Sequence, residues 1–169
     1  MKGSILFLIL LLAGFSSCKK NEAPAVVCNI NQTKALNVAK VTVNNGIWGT
    51  VSSQEGNCMP VQGPSTTCTE CPVKRTVRIY EYTQANQATP DGTSPVFFTA
   101  FSTPLVAEVE SDETGFYETN LAPGQYTIVV VENGKLYAPG RDAQGGLNPF
   151  NHPGNQSTIN FKMTYKAVF

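Results

Sequence analysis

The chain has 169 residues with twelve Lys plus Arg against twelve Asp plus Glu, so it is formally neutral at pH 7. Neutral charge without a long basic run leaves no electrostatic footprint for nucleic acid and nothing to steer a polyanion. Five cysteines and a single histidine bound the chemistry: an odd cysteine count in an exported chain leaves one over, and one histidine leaves little for acid–base or metal work.

The N-terminus reads as a targeting segment. Lys2 supplies a short positive region, residues 5–12 are an apolar run too short to span a bilayer, and small residues follow at Ala13, Gly14, Ser16 and Ser17. Residues 1–17 are therefore expected to be a signal peptide. The stretch Leu12-Ala13-Gly14-Phe15-Ser16-Ser17-Cys18 resembles the relaxed lipobox of Gram-negative lipoproteins. That resemblance implies cleavage before Cys18 and a lipid on its sulfur. Two or three acyl chains, palmitate among them, would anchor the exported chain to the outer membrane, on its periplasmic or cell-surface face. Lys19, Lys20 and Glu22 resemble the charged tags that send some lipoproteins to the surface, and read equally as a solvated tether. The alternative is an ordinary signal peptide with Cys18 in a disulfide.

Assigning Cys18 to lipid leaves Cys28, Cys58, Cys68 and Cys71 as an even set, which an oxidising compartment permits to form two bridges. Four cysteines allow three connectivities. The expected one puts Cys58 on one member of the Cys68-Thr69-Glu70-Cys71 motif and Cys28 on the other. A thioredoxin-like role for the motif needs a helix N-terminus in a βαβ unit, whereas Pro72 and a strand follow here. A zinc site built from these thiols and His152 rests on one C-x-x-C without a second spaced pair. No metal and no cofactor is the expectation.

Residues 18–38 mix Asn, Pro, Ala, Thr and Lys without apolar periodicity and read as a lipidated tether, with residues 39–169 as the domain. There, apolar residues recur every second position and no window carries a helical stripe. Strands are expected at 47–53, 73–83, 96–101, 105–111 and 116–119, with a short one at 41–43. The run 124–132 is apolar on both faces, which suits a central strand. Asn133-Gly134 supplies the two positive-φ residues of a type I′ turn, after which 135–137 returns beside it. The last strand alternates Ile159, Phe161, Met163 and Tyr165 with polar residues. Residues 55–72 and 138–156 read as long irregular loops. The pattern predicts an all-β, two-sheet antiparallel sandwich of seven to eight strands.

The order of the turns carries a second resemblance. Gly49-Thr50-Val51 opens a strand, Asp112-Glu113-Thr114-Gly115-Phe116-Tyr117 forms a turn, and Leu121-Ala122-Pro123-Gly124-Gln125-Tyr126 precedes the valine-rich strand. Over about residues 46–131 this resembles the carboxypeptidase regulatory-like domain, a transthyretin-like sandwich. The resemblance implies structural roles for its motif residues. Gly115 and Gly124 suit positive φ, Pro123 presets the preceding backbone, and Tyr126 suits a tyrosine corner bonded to backbone near Leu121.

His152 stands alone without a Gly-x-Ser-x-Gly elbow, and reads as a solvated loop histidine. Glu108, Glu110, Asp112, Glu113 and Glu118 read as a solvated acidic edge. Function is thus expected to be non-catalytic: an accessory or structural module that binds another envelope protein. The alternative is a glycan-binding surface lipoprotein using Trp48, Tyr80, Tyr82, Tyr137 or Phe150, and a hydrolase ranks last.

Overall fold

The computed structural model describes residues 28–60 and 67–169; the expected signal peptide and Cys18 lie outside them. In chain order the elements are a helix, α1 (Ile30–Val38), then β1 (Gly46–Asn57), β2 (Thr69–Pro72), β3 (Thr76–Glu81), β4 (Ala88–Pro90), β5 (Phe97–Phe101) and β6 (Leu105–Glu110). They continue with β7 (Phe116–Asn120), β8 (Gly124–Glu132), β9 (Lys135–Tyr137), β10 (Pro149–His152), β11 (Gln156–Thr158) and β12 (Phe161–Val168). Two sheets result, of five and seven strands, not closed into a barrel.

In the smaller sheet the twelve-residue β1 is the spine. It pairs antiparallel with β7 and then β2 on one side. On the other it pairs parallel with β11 and then β12, so this sheet is mixed where the sequence suggested antiparallel pairing throughout. In the larger sheet the order is β4-β5-β9-β8-β3-β6, with β10 also on β8. The extra strands beyond the expected seven or eight are three- and four-residue pieces such as β2, β4, β10 and β11.

The core lies between the sheets. Ile47 and Val51 of β1, Tyr117 of β7, and Phe161 and Met163 of β12 meet Val77 and Ile79 of β3, Ile128 and Val130 of β8, and Tyr137 of β9. The opposite face of the larger sheet is buried too, because Val129, Tyr80, Phe98 and Leu136 pack under Ala138 and Leu147 of the following loop. That accounts for the all-apolar run in β8: odd and even positions face two different cores. The Asn133-Gly134 turn has φ of 51° and 75°, with Glu132 opposite Lys135.

Several expectations change. Part of the expected tether, 30–38, is helical, capped by the Asn29 side chain, which accepts from the Gln32 N–H at 3.2 Å. Nine residues with no apolar stripe give no periodic signal, and tertiary contacts hold the helix. Residues 41–43 form no strand; the Glu118 carboxylate takes the Thr42 N–H at 2.8 Å and the Val43 N–H at 3.2 Å in place of a ladder. The 55–72 loop is shorter than expected, since β1 runs to Asn57 and β2 returns along it. Residues 138–156 hold β10 and the first residue of β11.

Gly124 has no positive φ. A Cβ there would sit 2.9 Å from the Tyr126 hydroxyl oxygen, so glycine is required by the ring lying on the backbone. Gly115, at φ 71°, is required twice, since a Cβ would also overlap the Val51 carbonyl oxygen.

Candidate functional site

The two disulfides are Cys28–Cys71 and Cys58–Cys68. Cys68 and Cys71 go to different partners, which removes both the redox and the zinc reading of the C-x-x-C. Formed bridges place the chain in an oxidising, non-cytoplasmic compartment. Among the described residues no helix is long and apolar enough to cross a membrane.

Cys28–Cys71 clasps the start of α1 to β2, and the other end of the helix is held by Asn37. Its amide donates to the Thr50 hydroxyl at 3.0 Å and to the Thr114 carbonyl at 3.2 Å, and accepts from the Thr114 hydroxyl at 2.9 Å. Thr50 alternates with the core-facing Ile47 and Val51, so α1 lies on the outer face of the smaller sheet. Lys34 and Lys162 both reach Glu70 there, at 3.9 and 2.7 Å. Burial works to raise the Glu70 pKa, but Lys162, the Ser52 hydroxyl and Lys34 outweigh it and hold the carboxyl below its ordinary value.

The aromatic residues are dispersed. Tyr80 and Tyr137 are buried, the latter at 1% exposure against Phe97, Phe161 and Tyr165, and are not available to a ligand. Trp48 is partly exposed on β1. Tyr82 lies over Gly146 and donates to Asp142 at 2.9 Å. Phe150 leans on Tyr126, whose hydroxyl donates to the Ala122 carbonyl at 3.0 Å. Trp48, Tyr82 and Phe150 make no ring contact with one another, so they form no continuous platform.

His152 is buried, not solvated. Its Nε2 lies 3.0 Å from the Leu121 carbonyl, which can only accept, and Nδ1 lies 3.3 Å from the Ser157 hydroxyl. The ring ties β10 to β11 and to the turn between β7 and β8, and its partners include no carboxylate. The acidic residues are likewise occupied: Glu108 accepts from Arg78 at 2.5 Å, Asp112 from Lys40 at 2.6 Å, and Glu110 and Glu113 lie 3.8 Å from Lys74. Glu132 is 5% exposed and accepts from Arg75 and, at 2.5 Å, from the Tyr165 hydroxyl. No group of three metal-binding side chains occurs among the described residues.

What remains open is an edge. Among the described residues β6 is paired only with β3, so half of its backbone N–H and C=O groups face away from the sheet. Ala107 and Val109 pack toward the core, while Leu105 and Val106 are exposed at 48% and 42%. Sequence reasoning placed the strand but not this exposed pair; the signal was two consecutive apolar residues at the head of an otherwise alternating run. Elsewhere the described residues form shallow recesses. One of about 310 Å³ is lined by Gln84, Asn86 and Gln144, and one of about 230 Å³ by Ile128, Asn148 and Lys162. No family model, no curated protein and no solved structure matches this chain.

Proposed function

We propose that the chain is a non-catalytic, lipid-anchored protein of the cell envelope, held to the outer membrane through Cys18. Its sandwich is similar to carboxypeptidase regulatory-like domains and binds an extended segment of another envelope protein along β6. The observation that carries this reading is the edge of β6, where Leu105 and Val106 are exposed on a strand whose outer backbone groups face no other strand among the described residues. An added strand would satisfy those groups, and side chains at alternate positions would give specificity. Occupation of His152, Glu132 and the other buried polar groups by structural bonds supports a binding role over a chemical one.

The test is a photocrosslinking residue placed at Val106 in intact cells, with the same residue at Thr99 as control. Thr99 is exposed on β5, which is paired on both sides. The expected result is one discrete adduct from position 106 and none from position 99. Identical patterns from both positions would contradict an edge-specific partner.

A further inference from the structure

We infer that the cleft of about 230 Å³ between β8 and β12 binds a short, extended, apolar stretch of another polypeptide. It is separate from the β6 edge, which belongs to the larger sheet, whereas β12 belongs to the smaller one.

The cleft opens where a ladder is broken. On one side β8 is paired with β10 through residues 124–127 and with β9 through residues 130–132. Between them the Ile128 N–H donates instead to the Asn148 carbonyl at 3.2 Å. Asn148 is held there at φ 40° by Gly140, whose N–H donates to its Oδ1 and whose carbonyl accepts its N–H at 2.9 Å. Asn160, just before β12, gives its own Oδ1 to the Thr50 N–H at 3.0 Å. Both carboxamides line the cleft, and each is oriented by its oxygen. Neither NH2 has an acceptor among the described residues, and both are reachable from solvent.

The backbone beside them is open as well. Val51 turns its N–H and C=O to Gly115 and Val73, so in the parallel ladder its register partner Phe161 bonds to β1. The next residue, Lys162, then turns its N–H and C=O outward, where they face no other strand among the described residues. Two residues on, the Thr164 N–H points the same way but donates to the Tyr137 hydroxyl at 3.1 Å, which ends the open stretch.

These groups select the occupant. An outward N–H and C=O pair on one residue is complemented by the C=O and N–H of an added strand. The two NH2 groups suit its further carbonyl oxygens. Lys162 is the charged residue of the lining, and its ammonium is on Glu70 at 2.7 Å, so no unpaired charge recruits an ion. The walls are Ile128, Ile159 and Phe161, which suit an apolar side chain. The cleft is smaller than the roughly 300–1,000 Å³ of sites for drug-sized ligands, so it takes about one side chain.

The test is titration of the isotope-labelled full chain, held in phospholipid nanodiscs, with the peptide acetyl-Ser-Val-Leu-Val-Ser-amide, followed by NMR. The expected result is shifts of the Lys162 backbone amide and of the Asn148 and Asn160 side-chain amides. Methylating the peptide's central backbone nitrogen removes one donor and is expected to weaken binding about fivefold. Asn148→Asp and Asn160→Asp keep the oxygens that Gly140 and Thr50 use and replace each NH2 by an acceptor; each is expected to weaken binding at least about fivefold. Unmoved resonances at all three residues with peptide at millimolar concentration would overturn the proposal, as would equal affinity for the methylated peptide. Shifts confined to Leu105 and Val106 would place the peptide on β6 and overturn the cleft alone. Overhauser contacts from the Asn148 and Asn160 amides to residues 1–27 or 61–66 in the peptide-free protein would make the occupant the chain itself and overturn a foreign one.

Discussion

Asn37, at the end of the N-terminal helix, donates a 3.0 Å hydrogen bond to Thr50 in the middle of β1, and both residues are buried. A side chain thirteen positions upstream thus fixes the helix to the spine of the smaller sheet. Asn37→Ala would remove the amide that donates to the Thr50 hydroxyl and the Thr114 carbonyl, at a cost of about 1–3 kcal/mol. We expect faster amide exchange across 30–38, with the larger sheet unchanged. Unaltered exchange in the helix would mean that the disulfide alone holds it.

The two bridges close loops of very different length, with sequence separations of 43 and 10. The chain-entropy relation gives about 4 kcal/mol for Cys28–Cys71 and about 3 kcal/mol for Cys58–Cys68. Urea unfolding of the paired Cys→Ser variants is expected to show the larger loss for Cys28→Ser/Cys71→Ser. The reverse order would indicate that the longer loop is already constrained in the unfolded chain.

Acid stability should depend on Glu132. Burial works to raise its pKa, but the hydrogen bonds from Arg75 and Tyr165 outweigh it and hold the carboxyl below its ordinary 4.5. A folded pKa below the unfolded one gives stability that is complete above 4.5 and lost as pH falls through the lower folded value. Glu132→Gln is expected to cost about 1–3 kcal/mol at neutral pH and to flatten the acid limb of a stability-against-pH curve. A limb of unchanged slope would assign the acid loss to other carboxylates, such as Asp112, whose pKa is also lowered.

Glycines at two turns should respond differently to alanine. Gly134 has φ 75° and open space around the position a Cβ would take, so Gly134→Ala meets backbone strain alone, about 1 kcal/mol. Gly115→Ala adds overlap with the Val51 carbonyl and is expected to cost at least about 3 kcal/mol. Thermal melts of the two variants test the order.

The sandwich was legible because its strands announce themselves chemically. Alternation in Ile159, Phe161 and Met163, the β-branched run of β8 and the Asn133-Gly134 turn are all local signals. What was not legible depends on distant partners. Asn37 in a polar stretch gives no hint of the two threonines it binds, and His152 beside two prolines reads as solvated until Leu121 and Ser157 are seen to enclose it. Tyr80 reads as available in the sequence because the second core, under Ala138 and Leu147, is built by a loop without strand periodicity. Tyr137 reads the same way until the sheets close over it from Phe97, Phe161 and Tyr165. The exposure of Leu105 and Val106 likewise follows from the sheet order, which leaves β6 at the edge.

The anchored-module reading is tested most directly by the intact mass and membrane partitioning of the exported protein, compared with Cys18→Ser. The prediction is a chain beginning at Cys18, carrying a thioether-linked diacylglyceryl group and sedimenting with membranes, with the serine variant released into the soluble fraction. A soluble wild-type chain with Cys18 as a free thiol or in a disulfide would contradict it.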